Sequence, residues 1–297
     1  MIRWRRLVLA AALASALPAA SAVDVLHRER SLYQTILITE DRNRICMQFS
    51  VREQQRNQSC FNPRRPKRMV FTYTRMMMGA LLLEPEPVNV LIAGLGGGTL
   101  PTALHDLLPE AHIDTVEIDP AVVAAARRYF GFATGERQVV HVRDARVFIK
   151  RAVTDDVRYD LVMLDAFGGD YIPEHLMTRE FLDEVRALMT DGGVLAANTF
   201  ATSRLYDHES ETYRAAFGMF FNLRLRESNN RVILARNGPL PDKAELRANA
   251  AAWRGRLRAY DVPIREFPAR LSLDVDWDVT RRPLTDQYAP ANLLRGD

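Results

Sequence analysis

From residue 88 onward the chain alternates short apolar runs with polar loops and stretches of helical spacing, the rhythm of strand, loop and helix. Val88-Asn-Val-Leu-Ile-Ala93 reads as a buried strand, followed by Gly94-Leu-Gly-Gly-Gly98 and a helix over 99–108. A second strand over 111–117 precedes a helix over 120–130. Residues 138–142 form a third strand, and 159–164, almost wholly apolar, a fourth. A helix over 174–188 and a strand over 193–199 follow, and the runs 221–226 and 231–236 flank Ser228-Asn-Asn230 as a closing antiparallel pair. The alternation predicts an α/β fold, a mainly parallel sheet covered by helices, with ligands at the carboxyl ends of its strands.

The flanks read differently. Residues 25–61 are β-rich, with a clear strand in Ile36-Leu37-Ile38-Thr39, a turn in Glu40-Asp41-Arg42-Asn43, and strand-like runs over 44–51 and 59–61. A Pro- and Arg-rich boundary at 63–67 leads to a helix over 71–83, stopped by Glu84-Pro85-Glu86-Pro87. Residues 243–258 read as an amphipathic helix and 281–297 as an irregular tail. The organisation expected is a signal peptide over 1–22, an N-terminal β domain over 23–68, a Rossmann-like nucleoside-binding domain over 69–240, and a C-terminal helix and tail over 241–297.

Composition changes the picture at the N-terminus. Met1-Ile-Arg-Trp-Arg-Arg6 is a basic n-region, residues 7–17 are an apolar, Ala-rich h-region, and Ala20-Ser21-Ala22 has the form of a cleavage site. Export, to the periplasm, is the expectation. Arg5-Arg6-Leu7-Val8-Leu9 loosely resembles a twin-arginine signal but departs from it at Trp4 and Val8. Removing Arg3, Arg5 and Arg6 leaves 37 bases against 37 acids, so overall charge gives no reason to expect nucleic-acid binding. The two cysteines, Cys46 and Cys60, fall in the two strand-like runs and fit a cross-hairpin disulfide in an oxidising compartment.

The chemistry concentrates at the strand ends. Gly94, Gly96 and Gly98 follow the first strand and open a helix, and glycines let a backbone approach a ligand closely. Glu117 ends the second strand, where a carboxylate can accept both hydroxyls of a ribose. Asp144 ends the third, placed to accept from an adenine amino group with the backbone of Ala145 beside it, and Asp165 ends the fourth. Carboxylates at consecutive strand tips are costly unless solvated or bound, which points to a nucleoside site. A dinucleotide turn would read G-x-G-x-x-G, whereas the third Gly here comes one residue early. Several acids also suit the sulfonium of an S-adenosyl donor better than a pyrophosphate. The histidines at 105, 112, 141, 175 and 208 show no metal-ligand spacing and read as structural or surface residues, so no metal is expected. Residues 52–75 carry seven bases and one acid, Glu53. They read either as a solvated face or as the border of a site for an anionic acceptor or partner.

Taken together these residues resemble the spermidine synthase family over nearly the whole chain after the signal. His27-Arg-Glu-Arg-Ser-Leu-Tyr33-Gln34 is similar to that family's opening, whose Gln contacts the donor. Val116-Glu117-Ile118-Asp119, Asp144-Ala145 and Leu164-Asp165 are similar to its donor-binding and catalytic strand ends. Leu284-Thr-Asp-Gln-Tyr-Ala-Pro290 resembles a closing segment of spermidine-synthase-like bacterial proteins. The resemblance implies a small N-terminal β domain on a Rossmann-like S-adenosylmethionine-dependent transferase fold. It also implies a homodimer and decarboxylated S-adenosylmethionine, or S-adenosylmethionine itself, as donor substrate.

Departures cluster on the acceptor side. The family's Gly-rich turn carries an acid where Gly96 stands, and its Tyr-His/Gln-Glu-Met becomes Tyr73-Thr74-Arg75-Met76. Its second loop acid is replaced by Gly168, with Asp170 and Glu174 as substitutes nearby. Tyr73, Asp170 and Glu174 are therefore the acceptor-side candidates. A dicationic acceptor such as putrescine needs acids, so a small-molecule acceptor other than putrescine is expected. Three readings follow: an S-adenosyl-dependent transferase on another acceptor with Asp165 as general base; a polyamine aminopropyltransferase with a rebuilt acceptor site; or a non-catalytic nucleoside-binding module.

Overall fold

In the computed structural model the described residues are 23–51, 54–166 and 172–289. Residues 1–22, expected to be a signal peptide, lie outside them together with Gly168 and Asp170.

The chain opens with a four-stranded antiparallel meander, β1 (Asp24–Arg30), β2 (Thr35–Asp41), β3 (Arg44–Val51) and β4 (Gln54–Phe61). Ile36, Ile38, Met47 and Phe49 form its apolar face. The strand over 59–61 proves longer, because β4 pairs with β3 from Gln54 onward. The sequence Gln-Gln-Arg-Asn-Gln has no apolar alternation, and it is main-chain pairing to β3 that makes it a strand.

Cys46 and Cys60 are register partners across this hairpin and form a disulfide. In the isolated protein no thiol should react with an alkylating reagent until a reductant is added. Replacing both by Ser should cost about 3 kcal/mol of unfolding free energy, from loop-closure entropy alone. Urea denaturation measures it, and an unchanged midpoint would contradict the expectation.

The helix expected over 71–83 splits into α1 (Thr72–Met77) and a 3-10 turn (Met78–Leu82). The tighter turn falls where Gly79 presses on Leu223 and Leu234; a Cβ on Gly79 would lie 3.2 Å from the first. Then come β5 (Asn89–Ala93), α2 (Thr99–Leu107), β6 (His112–Glu117), α3 (Pro120–Tyr129), β7 (Gln138–Val142), α4 (Ala145–Thr154) and β8 (Tyr159–Leu164). The run over 174–188 also divides, into a 3-10 turn (Glu174–Leu176) and α5 (Arg179–Leu188). Thr178 between them is buried and caps α5, its hydroxyl accepting from Phe181 N. The chain finishes with β9 (Met189–Phe200), α6 (Tyr206–Phe217), β10 (Phe221–Arg224), β11 (Asn230–Arg236), α7 (Lys243–Leu257), α8 (Phe267–Arg270) and the short β12 (Leu271–Ser272).

Eight strands make one sheet in the order β12-β10-β11-β9-β8-β5-β6-β7. The five strands β9 through β7 are parallel, and β5 and β8 in their middle are nearly continuous in apolar side chains, as expected where both faces are covered. One face packs on α2, the Met78–Leu82 turn and α7, the other on α4, α5 and α6. The chain leaves β5 toward β6 on one side, and β8 lies on the other. That reversal of strand order opens a crevice beyond the carboxyl ends of β5 and β8. The N-terminal meander lies beside this crevice because its apolar face packs on Ala121, Val122 and Ala125 of α3.

Candidate active site

The glycine turn starts where β5 ends. Gly94, Gly96 and Gly98 all have positive φ, at 100°, 52° and 77°. At Gly94 and Gly98 the protein's own packing already requires glycine. A Cβ on Gly94 would collide with the backbone carbonyl of Asp165, and one on Gly98 would lie 2.6 Å from the Phe132 ring. Gly97 is equally confined, by Phe130. The turn is also pinned from the meander, since Ser59 Oγ accepts from Gly97 N at 2.9 Å.

Glu117 ends β6 beside that turn. One carboxylate oxygen accepts from Leu95 N and the other from Asp119 N, both at 3.0 Å. Burial raises its pKa, and these two backbone donors oppose the rise. Each oxygen keeps a lone pair for a further donor such as a ribose hydroxyl. Asp119 continues the arrangement: it caps α3 by accepting from Ala121 N, and it takes a 2.6 Å bond from Ser31 Oγ. Ser31 also accepts from Gln34 N, which brings Gln34 to the same edge of the crevice.

Asp144 follows β7 and caps α4 through Val147 N. Its second oxygen lies 2.9 Å from His175 Nε2. Ala145 starts the helix, and its N–H is one of those a helix leaves unpaired.

Asp165 follows β8, next to the glycine turn, with its N–H bonded to Ala93 O. Asn198 Nδ2 donates to its Oδ1 at 2.8 Å, and Asn230 Nδ2 in turn donates to Asn198 Oδ1 at 3.0 Å. The Tyr73 hydroxyl is directed at the same carboxylate. Burial pushes the Asp165 carboxyl up to about 7, against the pull of Asn198 and Tyr73. Tyr73 is itself raised, first by burial and then by the Asp165 charge, so it stays a hydroxyl donor.

Gln34, Gly94, Gly96, Gly98, Glu117, Asp144, Ala145, Asp165 and Tyr73 thus all border one crevice. Glu174 opens the turn after the Asp165 loop and is half-buried, with no hydrogen bond from its carboxylate to another described residue. Arg75 does not confront Asp165, because its guanidinium bonds Thr72 Oγ1 and pairs with Asp261. Lys67 and Arg68, from the same basic stretch, pair with Asp106 and Asp261. Sequence reasoning missed Asn198, Asn230 and His175. The last reads from sequence as structural or surface, although its position ten residues after Asp165 brings it back over Asp144.

The arrangement is that of a Rossmann-like α/β fold of the S-adenosyl-dependent transferase type: a crevice at the switch point bordered by acids, with Asp165 buried and pushed up to about 7. Residues 70–221 match the spermine/spermidine synthase domain. The polyamine aminopropyltransferase of Vibrio vulnificus (strain CMCP6) is 48% identical over 273 residues, covering 91% of both chains. The chain belongs to the spermine/spermidine synthase family. Among solved structures, a probable spermidine synthase from Corynebacterium glutamicum superposes with a TM-score of 0.65. It covers 87% of this chain and 99% of its own at 17% identity, a likeness of fold. Human methyltransferase-like protein 13 in complex with SAH gives a TM-score of 0.59 at 27% identity, over 63% of this chain and 93% of its own.

Glu117→Gln is expected to weaken nucleoside binding by about 1.5–3 kcal/mol, the range for a charge-assisted bond. The amide NH₂ also faces either Leu95 N or Asp119 N, donor against donor. Titration calorimetry with methylthioadenosine measures the loss, and equal affinity would remove Glu117 from the site.

Proposed function

We propose that this protein is a polyamine aminopropyltransferase, moving the aminopropyl group of decarboxylated S-adenosylmethionine to the primary amine of a diamine such as putrescine. The observation that carries the reading is the Asp165 carboxyl, held by Asn198 and Tyr73 and poised near neutrality. The amine lone pair attacks the aminopropyl carbon bonded to sulfur. The C–S bond breaks, its electrons return to sulfur to leave methylthioadenosine, and the amine proton passes to Asp165. A base with a pKa near the working pH combines adequate population with adequate driving force. Glu117, Asp144 with Ala145, and Gln34 would hold the nucleoside, and Tyr73 would orient the carboxylate toward the amine.

The acceptor other than putrescine expected from Gly96, Arg75 and Gly168 finds no support in the relatives, and the Vibrio vulnificus protein favours a polyamine. Arg75 is also turned toward Thr72 and Asp261, which weakens the argument that its charge opposes a cationic acceptor. Export and homodimer formation belong to the same reading. For export the support is the signal-like N-terminus and the Cys46–Cys60 disulfide, which suits an oxidising compartment.

Methyl transfer from S-adenosylmethionine is the second reading, favoured by the likeness to methyltransferase-like protein 13. Calorimetry separates the two. The first predicts tighter binding of the decarboxylated donor, and a preference for the carboxylated donor would favour the second.

A further inference from the structure

The C-terminal segment 282–288 reads as an irregular tail, yet it is tied to the turn that follows the Asp165 loop from several sides. Leu284 is fully buried with Met177 and Leu205, and Ile172 packs on the group. Leu284 O accepts from Arg179 N at 2.8 Å, and Leu284 N donates to Thr212 Oγ1 at 2.8 Å. Asp286 takes both terminal nitrogens of Arg146, at 2.7 and 2.8 Å, while its Oδ1 also accepts from Thr178 Oγ1 at 2.7 Å. Salt-bridging to Arg146 holds the Asp286 carboxyl down at about 2, so this tie stays charged throughout the physiological range.

Arg146 is the link that gives the tail a place in the site. It stands directly after Asp144-Ala145, and its guanidinium also donates to the His175 carbonyl at 3.2 Å. The His175 ring reaches back to Asp144. The nucleoside-side carboxylate, the turn bearing Glu174 and the tail therefore form one connected network. We propose that Asp286 and Arg146 are positioning residues: through them the segment 282–288 clamps residues 172–178 and fixes the acceptor side of the crevice against the nucleoside side. The acceptor arm rests on the aminopropyl-transfer reading; the clamp itself does not.

The test uses the full chain carrying Asp286→Ala, with Asp286→Asn as the shape-conserving variant that folds if the first does not. Hydrogen exchange over 172–178 is expected to quicken about tenfold or more while strand β5 stays protected, because only a local opening is released. Affinity for methylthioadenosine should stay within about twofold. The KM for putrescine should rise about tenfold, since a displaced acceptor wall misplaces the amine. The Asn variant should show the same pattern, smaller. Unchanged exchange over 172–178, or an unchanged KM beside quickened exchange, overturns the proposal. So does uniform quickening with loss of nucleoside affinity, the mark of a merely structural contact. If the wild type transfers nothing to putrescine, the reading of function fails instead. Exchange then decides the clamp alone: quickening confined to 172–178 supports it, and none overturns it.

Discussion

Asp165→Asn is expected to lower turnover by about 10²–10⁴-fold, the usual cost of removing a general base, while making the protein more stable above neutral pH. Both effects come from the same burial. The folded-state pKa is raised to about 7 from an ordinary 3.8. Between those values the folded protein keeps a proton that the unfolded chain releases, so this group's contribution to stability declines as pH rises and its full penalty is present above 7. Asn keeps an oxygen for Asn198 and carries no charge to desolvate. At pH 8 the variant should gain on the order of 2 kcal/mol or more, since a tenfold change in an acid's dissociation constant on folding is worth about 1.4 kcal/mol. The two proteins should converge in stability toward pH 4. In the wild type, kcat/KM should climb with pH through about 7 as the base loses its proton. Thermal melts at pH 4.5 and 8, with a pH–rate profile, measure all three. If Asp165 only caps its loop, Asn would keep full activity and the profile would show no such limb.

Gly94→Ala is expected to damage fold and site together. Its φ of 100° is strained for any residue with a Cβ, at about 1–3 kcal/mol. The new methyl would also drive into the Asp165 carbonyl, and overpacking of that kind costs about 1–3 kcal/mol more. The two strand ends that frame the crevice would have to separate, carrying Asp165 away from the nucleoside. The melting temperature, methylthioadenosine affinity and turnover should all fall. A variant with wild-type melting and activity would show that the β5 and β8 ends are not rigidly coupled.

Much of the fold is legible in the chain, because short apolar-rich runs alternate with polar loops and helical spacing. The runs over 138–142 and 159–164 match β7 and β8 to the residue, and the acids at their ends follow. Helix α6 is not legible. Glu209, Ser210, Glu211 and Thr212 are all buried on it, so it shows no apolar stripe. It is held instead by the fully buried Arg231, which donates to Ser210 at 2.6 Å and Glu209 at 2.8 Å. Helix α4 escapes for the opposite reason. Its cap, Asp144, reads as a ligand-binding residue, and the same side chain serves the helix. Asn198 and Asn230 give no signal because their value lies in a relay across two strands, invisible to local pattern. The tail escapes because one aspartate and one leucine anchor it without regular structure.

The central claim is that aminopropyl transfer occurs at this crevice, and product analysis tests it most directly. The protein is incubated with decarboxylated S-adenosylmethionine and putrescine, and the polyamines and nucleosides are quantified by mass spectrometry. Spermidine and methylthioadenosine appearing in equal amounts, and both lost in Asp165→Asn, is the predicted result. No spermidine from the wild type, or methylated product formed from S-adenosylmethionine instead, would contradict it.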